Sequence, residues 1–193
     1  MNHSEYYDAQ RSVLGSMLLA GDEVAGIVLH RTREEDYTGE HKTLFRACRE
    51  LFQAGKKDLK DIVVLAHALF EGNEIETLRA EMEALLHDAD AAIFLCRLEG
   101  MAVGFAQCQL RRDYVEGAKS SPVGYLEGIY VKETCRRQGI ARALLQCAEA
   151  WAKEKGCREF ASDCTLENQE SLRFHQNVGF AEANRIICFI KRL

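Results

Sequence analysis

Residues 123–145 read V-G-Y-L-E-G-I-Y-V-K-E-T-C-R-R-Q-G-I-A-R-A-L-L. An apolar strand pattern passes through a short turn holding Gly139 into an unbroken run of helix formers. A strand that enters a helix this way aims several unpaired backbone N–H groups and the positive end of the helix dipole at one point. Such a point attracts an anion, most often a phosphate. The segment therefore demands a sheet with helices packed on it and a ligand at the strand's carboxyl end.

The flanking sequence meets that demand on one side only. Proline occurs once, at Pro122, so the reading rests on periodicity. The first seventy residues carry helical spacing: Val13, Leu14, Met17 and Leu18; then Val24, Ile27 and Val28. A third apolar face joins Leu44, Phe45, Cys48, Leu51 and Phe52 and closes at Ala54-Gly55, and a fourth covers 62–70. These predict a small helical bundle. From Glu74 the grammar changes. A helix is expected over 74–87, strands over 91–97, 102–111 and 123–131, and a helix over 137–155 ending at Gly156. A strand over 158–163, a helix over 168–177 and a last strand over 185–191 complete the pattern. The fold class is α+β or mixed α/β, a mixed and largely antiparallel sheet with flanking helices, preceded by the all-helical bundle.

Composition narrows the partners. A formal charge of −5 argues against a nucleic-acid surface and suits a cationic substrate. Eight cysteines without a C-x-x-C pair, most of them inside apolar runs, read as reduced core thiols. With a polar start and no apolar run long enough to cross a bilayer, the expectation is a cytoplasmic protein with no membrane partner. No H-E-x-x-H or clustered Cys/His set suggests a metal.

Residues 136–141 fit [QR]-x-x-G-x-[GA]. Gly139 tightens the turn, small Ala141 lets the backbone approach a ligand, and Arg137 and Arg142 add charge at the rim. Glu127 interrupts an apolar strand, so its carboxylate is either paired with an arginine or faces a cavity. Asp163 ends the next strand, as a ligand contact or as a helix cap. Asn168 opens the helix that carries F-H-Q-N-V-G-F, in which His175 is either a packed histidine or an acid.

In order and spacing these residues resemble the GNAT superfamily of acyl-CoA-dependent N-acetyltransferases. Over 76–193 the segments M-E-A-L-L-H-D-A-D-A-A-I-F-L, R-R-D-Y-V-E-G, S-S-P-V-G-Y-L-E-G-I-Y-V, G-C-R-E-F-A-S-D and K-R-L are similar to the aminoglycoside 6'-N-acetyltransferases. The resemblance implies the GNAT fold, acetyl-CoA as cosubstrate and direct attack of a neutral primary amine on the thioester. It further implies that backbone groups of Ile129, Tyr130 and Val131 hold the pantetheine arm. The N–H groups of Arg137, Gln138, Gly139, Ile140, Ala141 and Arg142 would cradle the pyrophosphate, and Asn168 would bond the pantetheine amide. Glu127, Asp163 and Tyr114 would hold the amino sugar, with Glu127 as base and His175 as proton donor to the departing thiolate.

Two departures stand out. The family's L-W-P segment is absent, the only tryptophan being Trp151, and Asn184 stands where a glutamate is usual. In place of the family's start, A-Q-R-S-V-L-G-S-M-L-L, E-E-D-Y-T-G-E-H-K-T-L-F-R-A and L-F-Q-A-G-K-K-D resemble the amino-terminal helical domain of DnaB-type replicative helicases, over 6–69. That domain is an assembly and docking module. No G-x-x-x-x-G-K-[ST] follows, so helicase chemistry is not expected. The expected division is a helical module at 1–72, serving homodimerisation or partner docking, and a shortened acetyltransferase domain at 73–193.

Overall fold

The computed structural model describes residues 34–37 and 51–192. Strands β1 (Leu51–Gln53), β2 (Ala91–Leu98), β3 (Met101–Arg111), β4 (Val123–Val131) and β5 (Phe160–Ser162) form one sheet in that spatial order. The first three pairings are antiparallel and β4–β5 is parallel. The parallel pair needs a crossover, which helix α3 (Ile140–Glu154) supplies. Helices α1 (Leu59–Leu69) and α2 (Ile75–Leu85) precede β2, and α4 (Gln169–Val178) follows β5.

Both faces of the central strands are covered, which explains their nearly continuous apolar runs. On one face Ala106, Cys108 and Leu126 pack against Leu144, Leu145, Ala148 and Trp151 of α3. On the other, Ile93, Leu95 and Phe105 pack against Ile62 and Leu65 of α1 and Met82 of α2. Burial pushes the Cys108 thiol up to about 12, as expected of a sulfhydryl acting as a small apolar group. No described helix is long and apolar enough to cross a membrane.

One irregularity positions the site. On β4 the β3 partners step from Gly128, opposite Gln107, to Leu126, opposite Cys108. Glu127 is thus the extra residue of a β-bulge, which re-aims its side chain out of the strict alternation of the strand.

Two expected elements differ. Residues 51–53 lie in a strand paired with β2, not on a helical face, because three edge residues follow the partner they meet rather than a local period. The helical readings over 1–33 and 38–50 lie outside the described residues. The last strand expected over 185–191 is also not formed: residues 180–192 have no regular structure. There Ile187, Phe189 and Ile190 are 76, 91 and 96 % exposed. A strand is stabilised by cross-strand neighbours, and an apolar pattern specifies a face without specifying a partner. Finally, β1 and α1 precede the division expected at residue 72, yet they pack with β2, β3 and α2.

Candidate active site

The site forms where β4 and β5 part. Their register runs Gly124↔Phe160, Tyr125↔Ala161, Leu126↔Ser162 and stops there. Past that fork the outer edge of β4, including Ile129, Tyr130 and Val131, has no strand partner among the described residues, while its inner edge stays bonded to β3. An extended amide-bearing chain can add to such an edge as a strand would.

The turn after β4 lies in line with that edge. Arg137 (φ 61°) and Gly139 (φ 81°) both adopt left-handed backbone, and Gly139 is the N-cap of α3. Glycine has no side chain to satisfy the first-turn N–H groups, and no acidic residue stands in that turn. The first intrahelical bond runs from Ala143 N–H to the Gly139 carbonyl at 3.0 Å, so the N–H groups of Ile140, Ala141 and Arg142 precede the ladder. Open β4 edge and uncapped helix together fit the pantetheine arm and pyrophosphate of an acyl-CoA. Arg136, by contrast, turns inward: its Nε donates to the Val131 carbonyl at 3.0 Å. Replacing exposed Arg137 by glutamate is expected to weaken acetyl-CoA binding about tenfold or more, with little change in the unliganded melting temperature, as read by thermal-shift titration.

On the sheet face covered by α1 and α2, Glu127 does not stand alone. Arg111 donates to it twice, Nε to Oε1 at 3.0 Å and Nη2 to Oε2 at 2.8 Å. The same guanidinium lies 3.3 Å from the centre of the Tyr125 ring, and the Tyr125 hydroxyl donates to Asp163 Oδ1 at 2.6 Å. Burial and this bond to a carboxylate push the Tyr125 hydroxyl well above the usual phenol range. The pairing with arginine is therefore realised for Glu127, but a bidentate contact uses only part of the carboxylate's four lone-pair directions. Asp163 is not a helix cap; Asn168 takes that place, its Oδ1 accepting from Ser171 N–H at 2.9 Å.

His175 projects from α4 to β5. Its Nδ1 lies 2.8 Å from the Ser171 carbonyl and 3.2 Å from the Ser171 hydroxyl, and its Nε2 lies 3.0 Å from Ser162 Oγ. Ser162 Oγ is also 3.1 Å from the Leu126 carbonyl, one residue before Glu127. Phe174 and Phe180 meet the imidazole edge-on at 5.4 and 5.1 Å.

Tyr114 stands apart on the β3–β4 loop, 82 % exposed, with its hydroxyl donating to Glu116 Oε2 at 2.7 Å. Asn184 Nδ2 donates to Glu116 Oε1 at 3.2 Å, so a carboxylate is present beside Asn184 after all. A cavity of about 410 Å³ lies between Phe70, α2 and Gln107. It borders the bulge, since a Cβ on Gly128 would come within 2.8 Å of Leu69 Cδ2 and 3.0 Å of Phe70 Cζ.

Sequence reasoning brought forward Glu127, Asp163 and His175 but not Arg111, Tyr125, Ser162, Glu116 or Phe70. A clue for Arg111 was a charged residue closing an apolar strand; for the others the linear pattern held none.

Comparison with known proteins gives two overlapping matches. The profile of the Acetyltransferase (GNAT) family matches residues 59–180, and that of the DnaB-like helicase N terminal domain matches residues 2–93. An aminoglycoside N(6')-acetyltransferase type 1 of Serratia marcescens is 44 % identical over 132 residues, 68 % of this chain and 90 % of the relative. That of Salmonella enteritidis is 38 % identical over 74 % of this chain and 99 % of its own length. Among solved structures, AAC(6')-Iy in complex with the bisubstrate analog CoA-S-monomethyl-acetylneamine superposes with a TM-score of 0.72 at 38 % identity, covering 75 % of this chain and 98 % of that one. The 6'-N-acetyltransferase AAC(6')-IG of Acinetobacter haemolyticus gives 0.71 at 36 % identity, covering 74 % of this chain and 98 % of its own.

Proposed function

This chain belongs to the GNAT acetyltransferase family as an acetyl-CoA-dependent N-acetyltransferase, and we propose that its acceptor is the primary 6'-amine of an aminoglycoside. The observation that carries the proposal is the fork. An open β4 edge and an uncapped helix lie on its coenzyme side, and a network holding two carboxylates, Glu127 and Asp163, lies beside it. The named relatives act on, or are solved with, molecules of this class.

In this reading Ile129, Tyr130 and Val131 hold the pantetheine arm by backbone bonds. The turn from Arg137 through Gln138 and Gly139 to Ile140, Ala141 and Arg142 holds the pyrophosphate. Asn168 already uses Oδ1 as a helix cap, so its Nδ2 is the group left for the pantetheine amide. Bound there, acetyl-CoA supplies an activated acetyl group, and N–H groups at the β4 bulge stabilise charge developing on its carbonyl oxygen. Glu127 attracts the ammonium and takes its proton, directly or through one water, on the lone pairs Arg111 leaves open. Asp163, Tyr114 and Glu116 hold other amino and hydroxyl groups, and the cavity beside Phe70 receives the sugar ring. Glu116 supplies a carboxylate near the position where Asn184 replaces the usual acid. His175 supplies the proton that the departing sulfur takes up.

Purified protein given acetyl-CoA and kanamycin is expected to release free thiol in step with acetylated product. No release above the Glu127→Ala background would refute the substrate assignment. Homodimerisation, with the DnaB-like segment as the association module, belongs to the same proposal and rests on the match over residues 2–93. Light scattering on the full chain should return twice the monomer mass. A cytoplasmic setting fits the supply of acetyl-CoA and the buried Cys108 and Cys157 thiols.

A further inference from the structure

His175 is expected to protonate the departing thiolate, but both of its ring nitrogens already face protein groups. Nδ1 faces the Ser171 carbonyl at 2.8 Å. A carbonyl can only accept, so this shorter bond keeps the proton on Nδ1, and the Ser171 hydroxyl, 3.2 Å from the same nitrogen, is left as a second acceptor. Nε2, the only nitrogen that can gain or lose one, faces Ser162 Oγ at 3.0 Å. Ser162 Oγ in turn lies 3.1 Å from the Leu126 carbonyl.

A hydroxyl has one proton and two acceptor sites. When His175 is an imidazolium, Nε2–H donates to Ser162 and the serine proton is left for the Leu126 carbonyl or, with coenzyme bound, for its sulfur. When His175 is neutral, the serine proton must turn to Nε2. Ser162 is thus a two-position rotor set by the charge of His175. It also occupies the apex of the fork, because Leu126↔Ser162 is the last registered pair before β4 and β5 part.

We propose that Ser162 is a catalytic residue that hands the proton to the coenzyme A sulfur, and that His175 acts through it. The step balances. As the amine nitrogen bonds to the acetyl carbon and the C–S bond breaks, the Ser162 O–H proton passes to sulfur and the His175 Nε2 proton passes to Ser162 Oγ. One proton leaves the imidazolium and one S–H bond forms. The ring is left neutral with its proton on Nδ1, the tautomer that Ser171 already requires. Solvent recharges the ring, while Glu127 returns the amine's proton to solvent. This inference rests on the acetyl-transfer reading, but it concerns the coenzyme half of the reaction and is the same for any amine.

Steady-state kinetics of Ser162→Ala, His175→Ala and the double variant test it, each with acetyl-CoA affinity measured by thermal-shift titration. Ordinary thiols ionise near ~8.5, so the departing thiolate needs only modest help and the expected loss in kcat is about tenfold. Both single variants should show that loss with acetyl-CoA affinity unchanged, and the double variant should be no worse than either. Ser162→Thr, which keeps the hydroxyl, should restore most of the rate; it also serves if the alanine variant does not fold. Unchanged kcat in Ser162→Ala, additive losses, or a loss confined to acetyl-CoA affinity would each overturn the relay. If the wild type acetylates other amines but not kanamycin, only the substrate assignment fails, and the same comparison is made on the amine that reacts. If it acetylates none, both fall.

Discussion

Deleting residues 1–72 is expected to leave a chain without a cooperative thermal transition, recovered largely in the insoluble fraction. The deletion removes α1, whose Leu59, Ile62, Val63 and Leu65 are at most 8 % exposed and pack on α2, β2 and β3. Burying each such side chain contributes roughly 1.5–3 kcal/mol, so the four together match the ~5–15 kcal/mol that holds a typical domain folded. The deletion also leaves Arg97 without Asp58 and Asp61, both of which it meets in the intact chain. Leu65→Ala in the full chain is the graded form of the experiment and should cost about 2–5 kcal/mol in urea unfolding. A soluble, cooperatively melting 73–193 fragment would show that the sheet holds together without α1.

Glu127→Ala should lower kcat/KM for aminoglycoside acetylation by roughly 10²–10⁴, the usual contribution of a positioned general base. The same change should alter stability by less than about 1 kcal/mol, because the Arg111–Glu127 pair is partly exposed, at 41 % and 20 %. The gap between the two effects identifies Glu127 as chemical rather than structural. Glu127→Gln sharpens the result: it keeps a side chain of the same shape against Arg111 but removes the basic oxygen, and it should be nearly as slow as the alanine variant. A glutamine variant with near-normal rate would move the base elsewhere, with Asp163 the next carboxylate in the network.

Much of the fold was legible because its signals are local. The strand expected over 123–131 formed with those bounds, and the helix expected over 137–155 formed as Ile140–Glu154, three residues late because Arg137 and Gly139 take left-handed backbone; a glycine turn before an apolar-striped helix reads within one window. The strand at 51–53 and the missing strand at 185–191 were misread for one reason. Each depends on whether a distant edge is available, and three to seven residues of pattern do not encode that edge. The site divided in the same way. Glu127 stood out as a charge in an apolar strand, yet the bulge that turns it depends on β3.

The amino-acid sequence alone determined the strand, glycine turn and helix with its unpaired first-turn N–H groups, because peptide N–H groups at a helix start point outward whatever the rest of the chain does. It also marked Glu127 and Asp163 as acids set in apolar strands. The folded structure alone decided which groups meet. Arg111 reaches Glu127 across 16 residues, Ser162 reaches His175 across 13, and Tyr125 reaches Asp163 across 38. Those contacts follow from strand register and from the packing of α4 on β5. A hydrogen bond has a range of about 3 Å, so the partner of a side chain is chosen only when the sheet has closed.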